Sequence, residues 1–226
     1  MKALVTGAEG GIGRAICTRL EREGYDVTRL DLLGGFDVGE PRAWDELPNV
    51  ELACLNAGVL TGETEIAELT DERYRRILRA NVDGVVFGVR ALARTMHAGG
   101  AIVATASLAG LTDMVSDPVY AATKHFVVGF VRSVAPQLAE RGLRLNAVCP
   151  GIVDTPMVDA RRDELAAARF PLLAPDDVAE AVWRAARSEG TGEAWVVQPG
   201  REPEPFRYPG VPGPRVAGAE GERPPL

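Results

Sequence analysis

The chain is poor in the residues that mark metal, disulfide or membrane chemistry. Its 226 residues include three cysteines and two histidines. Cys17, Cys54 and Cys149 lie far apart in apolar segments. They show neither the paired spacing of a metal site nor the even number of a disulfide framework. They read as small buried hydrophobes in a reducing compartment, and a cytoplasmic location is expected. His97 and His125 have no second ligand nearby in sequence, so no metal is expected. No apolar run reaches the roughly eighteen residues of a membrane helix. Met1–Gly7 passes directly into a strand and turn, which leaves no room for a signal peptide. There is no Lys/Arg run, and the net charge is −7. That balance argues against nucleic acid as a partner.

What is present suffices for one hydrophobic core. Apolar residues make up 46% and charged residues 25%, outside the composition of a disordered chain. The 25 glycines and 16 prolines are in excess, and the excess is local. Residues 199–226 hold eight of the prolines and five of the glycines. Composition therefore separates a globular body from a Pro/Gly-rich tail over 201–226, which by composition reads as disordered. Pro205–Pro209 could instead lie extended over a neighbouring subunit.

Along the body, short apolar runs alternate with helical periodicity. Strands are expected at Ala3–Thr6, Asp26–Leu30, Glu51–Leu55, Ala101–Thr105, Leu143–Val148 and Ala194–Val197. Helices are expected at Ile12–Glu23, Asp71–Met96, Val119–Glu140 and Asp176–Arg187, with Pro136 a kink or an early end to the third. This alternation predicts an α/β fold, a doubly wound parallel sheet with helices on both faces. Ligands of such sheets sit beyond the carboxyl ends of the strands, where the chain order reverses.

The first such end carries Thr6-Gly7-Ala8-Glu9-Gly10-Gly11-Ile12-Gly13, then a helix. Gly7, Gly11 and Gly13 permit a tight turn and close approach of a pyrophosphate to the helix N-terminus. Asp31 ends the second strand, where a carboxylate can bind a ribose diol and repel a 2′-phosphate. Glu9 adds a second acid to the loop. NAD is therefore expected over NADP. Arg29 is the counter-argument, unless it pairs with Asp31 on the same strand face.

Tyr120-Ala121-Ala122-Thr123-Lys124 opens a helix and puts a phenol and an ammonium on one face. Ser107 follows a strand, and Asn81 is an unfavourable residue inside a long helix. With the glycine loop, Asn56-Ala57-Gly58, Asn81–Gly84 and Pro150-Gly151 with Thr155, the sequence resembles the short-chain dehydrogenases/reductases over about residues 2–198. Residues 106–111, 118–125 and 143–155 are similar to the 15-hydroxyprostaglandin dehydrogenase branch. The resemblance implies a Rossmann-type domain over 1–200 with a substrate lid at about 152–175. It implies NAD(H)-dependent hydride transfer with a secondary alcohol or ketone. Tyr120 is then the general acid/base, and Ser107 binds the substrate oxygen. Lys124 lowers the phenol pKa, by about one to three pH units together with the nicotinamide cation, and holds the nicotinamide ribose. Asn81 holds a relay water. Gly7, Glu9, Gly11, Ile12, Gly13, Asp31, Asp37, Val38, Asn56, Ala57, Gly58, Pro150, Gly151, Ile152, Val153 and Thr155 line the cofactor, with Tyr120 and Lys124. A homodimer or homotetramer through the two long helices is implied.

The sequence also departs from that pattern. Only Leu32–Phe36 separates Asp31 from Asp37-Val38, too few residues for a crossover helix. That helix is missing, and the third strand is lost or a stub. The lid's Met157, Val158, Leu165, Phe170, Leu172 and Leu173 point to a lipophilic substrate, or to ordinary packing on the sheet. Asp117 replaces the polar amide usual in the prostaglandin branch, which argues against copying that substrate. A non-catalytic nucleotide-binding regulator and an NADPH-dependent ketoreductase are the alternatives.

Overall fold

The computed structural model describes residues 1–210, 214 and 216. Seven strands form one sheet: β1 (Lys2–Thr6), β2 (Asp26–Leu30), β3 (Leu52–Leu55), β4 (Ala101–Thr105), β5 (Arg144–Pro150), β6 (Ala194–Val197) and β7 (Glu204–Pro205). Their order is β2-β1-β3-β4-β5-β6-β7. The first six run parallel, and β7 is antiparallel to β6. From β1 the chain moves outward to β2, then returns to β3 on the other side. The reversal point lies between β1 and β3, beyond the end of β1 that carries the glycine loop.

The central strands are almost wholly apolar because helices cover both of their faces. On one face lie α1 (Gly11–Arg22) and α6 (Pro175–Arg187). Ile16, Leu20, Val178 and Val182 bury there against Val5, Val103 and Val148. Arg19 also bonds Glu180 across the two helices at 3.0 Å. On the other face lie α3 (Gly84–Thr95) and α4 (Pro118–Ala139). Val85, Val89, Leu92, Val127 and Val131 pack there on Leu4, Ile102 and Leu145. Two shorter helices, α2 (Asp71–Leu78) and α5 (Arg162–Ala167), complete the set. Among the described residues no helix is long and apolar enough to cross a membrane.

Five places bear on the sequence reading, and at four of them the structure departs from it. The expected long helix is α2 and α3 joined by a π-turn at Arg79–Asp83, and Asn81 sits in that turn. The helix containing Pro136 runs on to Ala139, so the proline does not stop it; it lies in the last turn, and only three helical residues follow it. At the third place the expected loss of a strand and a helix holds: among the described residues no strand separates Leu30 from Leu52. The segment instead makes 3₁₀ turns at Leu32–Gly34 and Pro41–Trp44. Trp44 anchors it, with Nε1 donating to the Val38 carbonyl at 2.8 Å and its ring edge-on to Phe36 at 5.2 Å. One buried indole thus replaces a strand and a helix.

Arg29 is the fourth place, and a departure. It pairs with Glu21 at 2.8 Å and not with Asp31, because α1 runs back alongside β2 and offers a nearer acid. The fifth is at the start of the Pro/Gly-rich segment, where residues 201–210 are ordered against their own chain. The Phe206 N–H donates to the Ala194 carbonyl at 2.7 Å, and Tyr208 lies under the Arg132 guanidinium, 3.6 Å from ring centroid to carbon. A free edge at β6 and an aromatic next to a cation outweigh the local composition. The remaining tail, apart from residues 214 and 216, lies outside the described residues.

Candidate functional site

The glycine turn is built by exclusion. Gly7 has φ +64°, in the left-handed region that favours glycine. A Cβ on Gly13 would stand 2.0 Å from the Gly7 carbonyl oxygen, and one on Gly11 would stand 2.6 Å from Thr155 Cγ2. The N-cap of α1 is Gly10, which gives no side chain to the first-turn N–H groups. Those donors and the positive end of the helix therefore face an open cradle with no internal acceptor. This cradle fits the pyrophosphate of a dinucleotide. Ile12 contributes only backbone, since its side chain packs on the core.

Asp31 stands beside the turn. Its Oδ2 accepts from the Glu9 N–H at 2.9 Å and its Oδ1 from the Leu33 N–H at 3.0 Å. The carboxylate is fixed in place, and each oxygen keeps a lone pair for a ribose hydroxyl. The Glu9 side chain turns to Arg14 at 3.2 Å. Asp37 is engaged elsewhere. The Arg79 guanidinium meets its Oδ2 at 2.9 and 3.0 Å, and the Gly39 N–H donates to its Oδ1. Burial opposes its ionisation, but these bonds prevail and hold its carboxyl below the usual range. Val38 is buried in the core, against the point where a Cβ on Gly84 would lie. Of this pair, the Asp37 side chain belongs to an ion pair and the Val38 side chain to packing.

Asn56 works as a stitch between strand ends. Its Nδ2 donates to the Thr6 and Gly7 carbonyls at 3.2 and 3.3 Å, and its Oδ1 accepts from Thr105 Oγ1 at 3.2 Å. Thr6 completes the stitch, its Oγ1 accepting from the Asn56 and Ala57 N–H groups at 3.0 and 3.1 Å. Gly58 follows, and a Cβ there would stand 3.2 Å from Asn81 Oδ1 and 3.4 Å from Lys124 Nζ. Asn81 Oδ1 accepts from the Val59 N–H at 2.8 Å. Its Nδ2 donates to the Val59 carbonyl and to Thr123 Oγ1, both at 3.0 Å. These bonds join the loop after β3 to α4, and Oδ1 keeps one lone pair beyond its bond to Val59.

Ser107, Tyr120 and Lys124 meet beyond the end of β4. Ser107 caps a 3₁₀ turn at Leu108–Gly110, with Oγ accepting from the Ala109 N–H at 3.1 Å. Tyr120 and Lys124 lie one turn apart on α4, and Lys124 Nζ is 5.5 Å from the Tyr120 ring centroid. Nζ donates to the Thr105 carbonyl at 2.9 Å. Burial pushes the Lys124 ammonium down to about 8. Burial likewise pushes the Tyr120 phenol up to about 12, against a downward pull from the Ser107 hydrogen bond. The expected lowering by Lys124 is absent in the protein alone. Desolvation favours the neutral form of both groups and is the largest cause for each.

On the far side, the Gly151 N–H donates to the Val197 carbonyl, and the Ile152 carbonyl accepts from Leu173, each at 2.9 Å. Pro150 ends β5. Val153 is buried and bridges to Leu173, so its side chain serves the core. Thr155 stands against Gly11, on the opposite wall of the cradle. Met157 and Phe170 are exposed in the following segment, whereas Leu165 and Leu173 are buried. Leu165 and Leu173 thus follow the packing reading, and Met157 and Phe170 leave apolar surface on the same segment. The sequence reading missed Thr6, Thr105 and Thr123 as parts of the site. Thr6 and Thr105 close their strands with a polar residue after an apolar run, the signal that could have found them.

The short chain dehydrogenase family profile matches residues 41–166. The chain is 31% identical to a 3beta-hydroxysteroid dehydrogenase of Mediterraneibacter gnavus, covering 69% of this chain and 67% of that one. It is 32% identical to a cyclohexanol dehydrogenase of Acinetobacter sp., covering 69% and 74%. A crystal structure of a 3-ketoacyl-(acyl-carrier-protein) reductase from Brucella melitensis complexed with NADH superposes with TM-score 0.75, at 25% identity, over 89% of this chain and 98% of that one. ElxO with NADP bound has the same fold, with TM-score 0.74 at 20% identity, over 87% and 96%.

Proposed function

The chain belongs to the short-chain dehydrogenase/reductase family, oxidoreductases that act on CH–OH groups with a nicotinamide cofactor, and from that premise we propose that it interconverts a secondary alcohol and its ketone with NAD(H), Tyr120 serving as the acid–base group. The observation that carries this reading is the meeting of Ser107, Tyr120 and Lys124 beside a glycine cradle with free helix donors.

In the oxidising direction the Tyr120 phenolate takes the hydroxyl proton while the carbinol carbon gives up hydride and becomes the carbonyl carbon. A bound nicotinamide supplies the hydride acceptor. Ser107 donates to the substrate oxygen, and Lys124 holds positive charge beside the phenol. In the reducing direction Tyr120 returns the proton. With its phenol held near 12, Tyr120 is protonated at neutral pH, the form that reduction needs.

NAD is favoured over NADP by the fixed Asp31 carboxylate. The two nearby cations are both engaged, Arg29 by Glu21 and Arg14 by Glu9. A lipophilic alcohol is favoured by Met157 and Phe170, exposed in the segment that follows Thr155. Self-association is favoured by a largely apolar hollow of about 230 Å³ lined by Tyr74 and Leu78 of α2, Val82 of the π-turn and Val119, Ala122 and Phe126 of α4.

The test is NADH formation from NAD⁺ with a panel of secondary alcohols that includes cyclohexanol and a 3β-hydroxysteroid. Tyr120→Phe is expected to lose at least about a hundredfold in kcat, and NAD⁺ to bind more tightly than NADP⁺. Full activity in Tyr120→Phe, or tighter binding of NADP⁺, overturns the corresponding part.

A further inference from the structure

Asp117 lies three residues before Tyr120, and only 4% of it is exposed. Its Oδ1 accepts from the Tyr120 backbone N–H at 3.0 Å. Its Oδ2 accepts from the Thr61 and Gly62 N–H groups at 2.9 and 3.2 Å. A buried charge is costly unless charge-assisted hydrogen bonds satisfy it. Three backbone donors and the positive end of α4 do so here.

Capping alone does not explain an aspartate at this place. Ser or Asn would cap the helix equally well. Neither can accept from α4 with one atom and from the loop with another, because the second polar atom of Asn is a donor and Ser has only one. A carboxylate can. The loop it grips is the one that Val59 ties to Asn81, and it packs with Tyr120 through Val59 and Leu60. Asp117 therefore clamps the start of the catalytic helix to the loop across from the phenol.

We propose that Asp117 acts on the reaction as a positioning residue, holding loop 59–62 against the start of α4 and placing a fixed negative charge at the end of the helix that carries Tyr120. This rests on the reading of Tyr120 as the acid–base group. Few other charges face that phenol. Lys124 lies one turn on, the Cys149 thiol faces it from β5 with its own ionisation suppressed by burial, and Arg76 meets the Leu60 and Thr61 carbonyls. Residues 56–62 and 108–111 hold no titratable side chain. Asp117 opposes loss of the phenol proton, which keeps Tyr120 in its donor form.

Three measurements test this. Amide hydrogen exchange of the intact protein should show the Thr61 and Gly62 N–H groups protected; exchange at free-loop rates overturns the clamp, whatever any variant does. Phenolate absorbance, taken as the difference between a protein and its Tyr120→Phe counterpart, should titrate about one pH unit lower in Asp117→Ser than in wild type. With NAD⁺ and cyclohexanol, or the best alcohol of the panel, Asp117→Ser and Asp117→Asn should lose about tenfold in kcat. Their KM for NAD⁺ should not change, and their pH–rate midpoint should move down in parallel. An unchanged midpoint and kcat in folded variants overturn the proposal. Absence of turnover by wild type with every alcohol sinks the functional reading instead, and the exchange and absorbance results still decide what Asp117 does to loop and phenol.

Discussion

Gly11 and Thr155 stand so close across the cradle that a methyl group on Gly11 would lie 2.6 Å from Thr155 Cγ2 and 3.1 Å from its Cβ. The two residues are 144 positions apart, and the contact joins the first turn of α1 to the loop after β5. Gly11→Ala must push one wall aside. The expected result is a Kd for NAD⁺ raised about tenfold or more, a cost of about 1–3 kcal/mol for overpacking. Thr155→Ser removes Cγ2, and in the Gly11→Ala background it should restore part of the affinity. Calorimetric titration of the four proteins measures the coupling. Additive losses in the double variant would mean that the two walls do not meet.

The buried Lys124 and Tyr120 make the stability of the cofactor-free protein depend on pH with opposite signs. Lys124 falls to about 8 in the folded state from the ordinary 10.5. Between these values the unfolded chain binds more protons, so stability rises with pH. Tyr120 rises to about 12 from 10.0. There the folded state binds more protons, so stability falls as pH climbs from 10 toward 12. Lys124→Met removes the first effect. The stability of wild type relative to Lys124→Met should therefore increase from pH 8 to pH 10, by at most about 3 kcal/mol. Urea unfolding across that range is the check, and a flat difference would contradict the burial cost. Bound cofactor should flatten the profile by giving the ammonium partners.

Much of this arrangement is legible in the sequence, for a physical reason. Strands covered on both faces must be continuous apolar runs, and a phosphate turn needs glycine at fixed offsets, so both leave one-dimensional traces. Asn81 betrays its π-turn because amides are poor helix formers. Partners chosen by three-dimensional proximity leave no such trace. Arg29 has acids at Asp31 and Glu21, and only the run of α1 beside β2 decides between them. Asp37 next to Val38 reads as a cofactor pair, and nothing local announces that Arg79, 42 residues on, holds the carboxylate. The threefold grip of Asp117 needs loop 59–62 to arrive beside α4, which no local pattern announces.

Asn81 illustrates how a residue singled out for chemistry also carries stability. Its amide makes three hydrogen bonds with a wholly buried side chain, two to Val59 and one to Thr123. Asn81→Ala leaves the Val59 groups without these partners. The expected loss is about 2–4 kcal/mol, or roughly 5–15 °C in Tm for a chain of this size. Asn81→Asp keeps the acceptor for the Val59 N–H but sets a carboxylate against the Val59 carbonyl. It should be no better than Ala at neutral pH and should recover as pH falls and the acid protonates. Thermal scans of both variants at two pH values decide between this bonding pattern and a side chain that merely fills space.

Tyr208 bears on what the residues beyond β6 contribute. Its ring is half-buried on the α4 side of the sheet, stacked edge-on with Phe206 at 4.9 Å and covered by Arg132. Its hydroxyl is buried and has no hydrogen-bond partner among the described residues. These two features have opposite consequences. Tyr208→Ala discards the ring, the cation contact and the packing on the core, and should cost about 2–4 kcal/mol. Tyr208→Phe keeps the ring and removes only the unpaired hydroxyl, so it should be neutral or stabilising by up to about 1 kcal/mol. Arg132→Leu should lower stability in wild type and lose most of that effect in the Tyr208→Ala background. If Tyr208→Ala melts like wild type, residues 201–210 are not bound to the sheet as described. If Tyr208→Phe is the more damaging change, the hydroxyl has a partner outside the described residues.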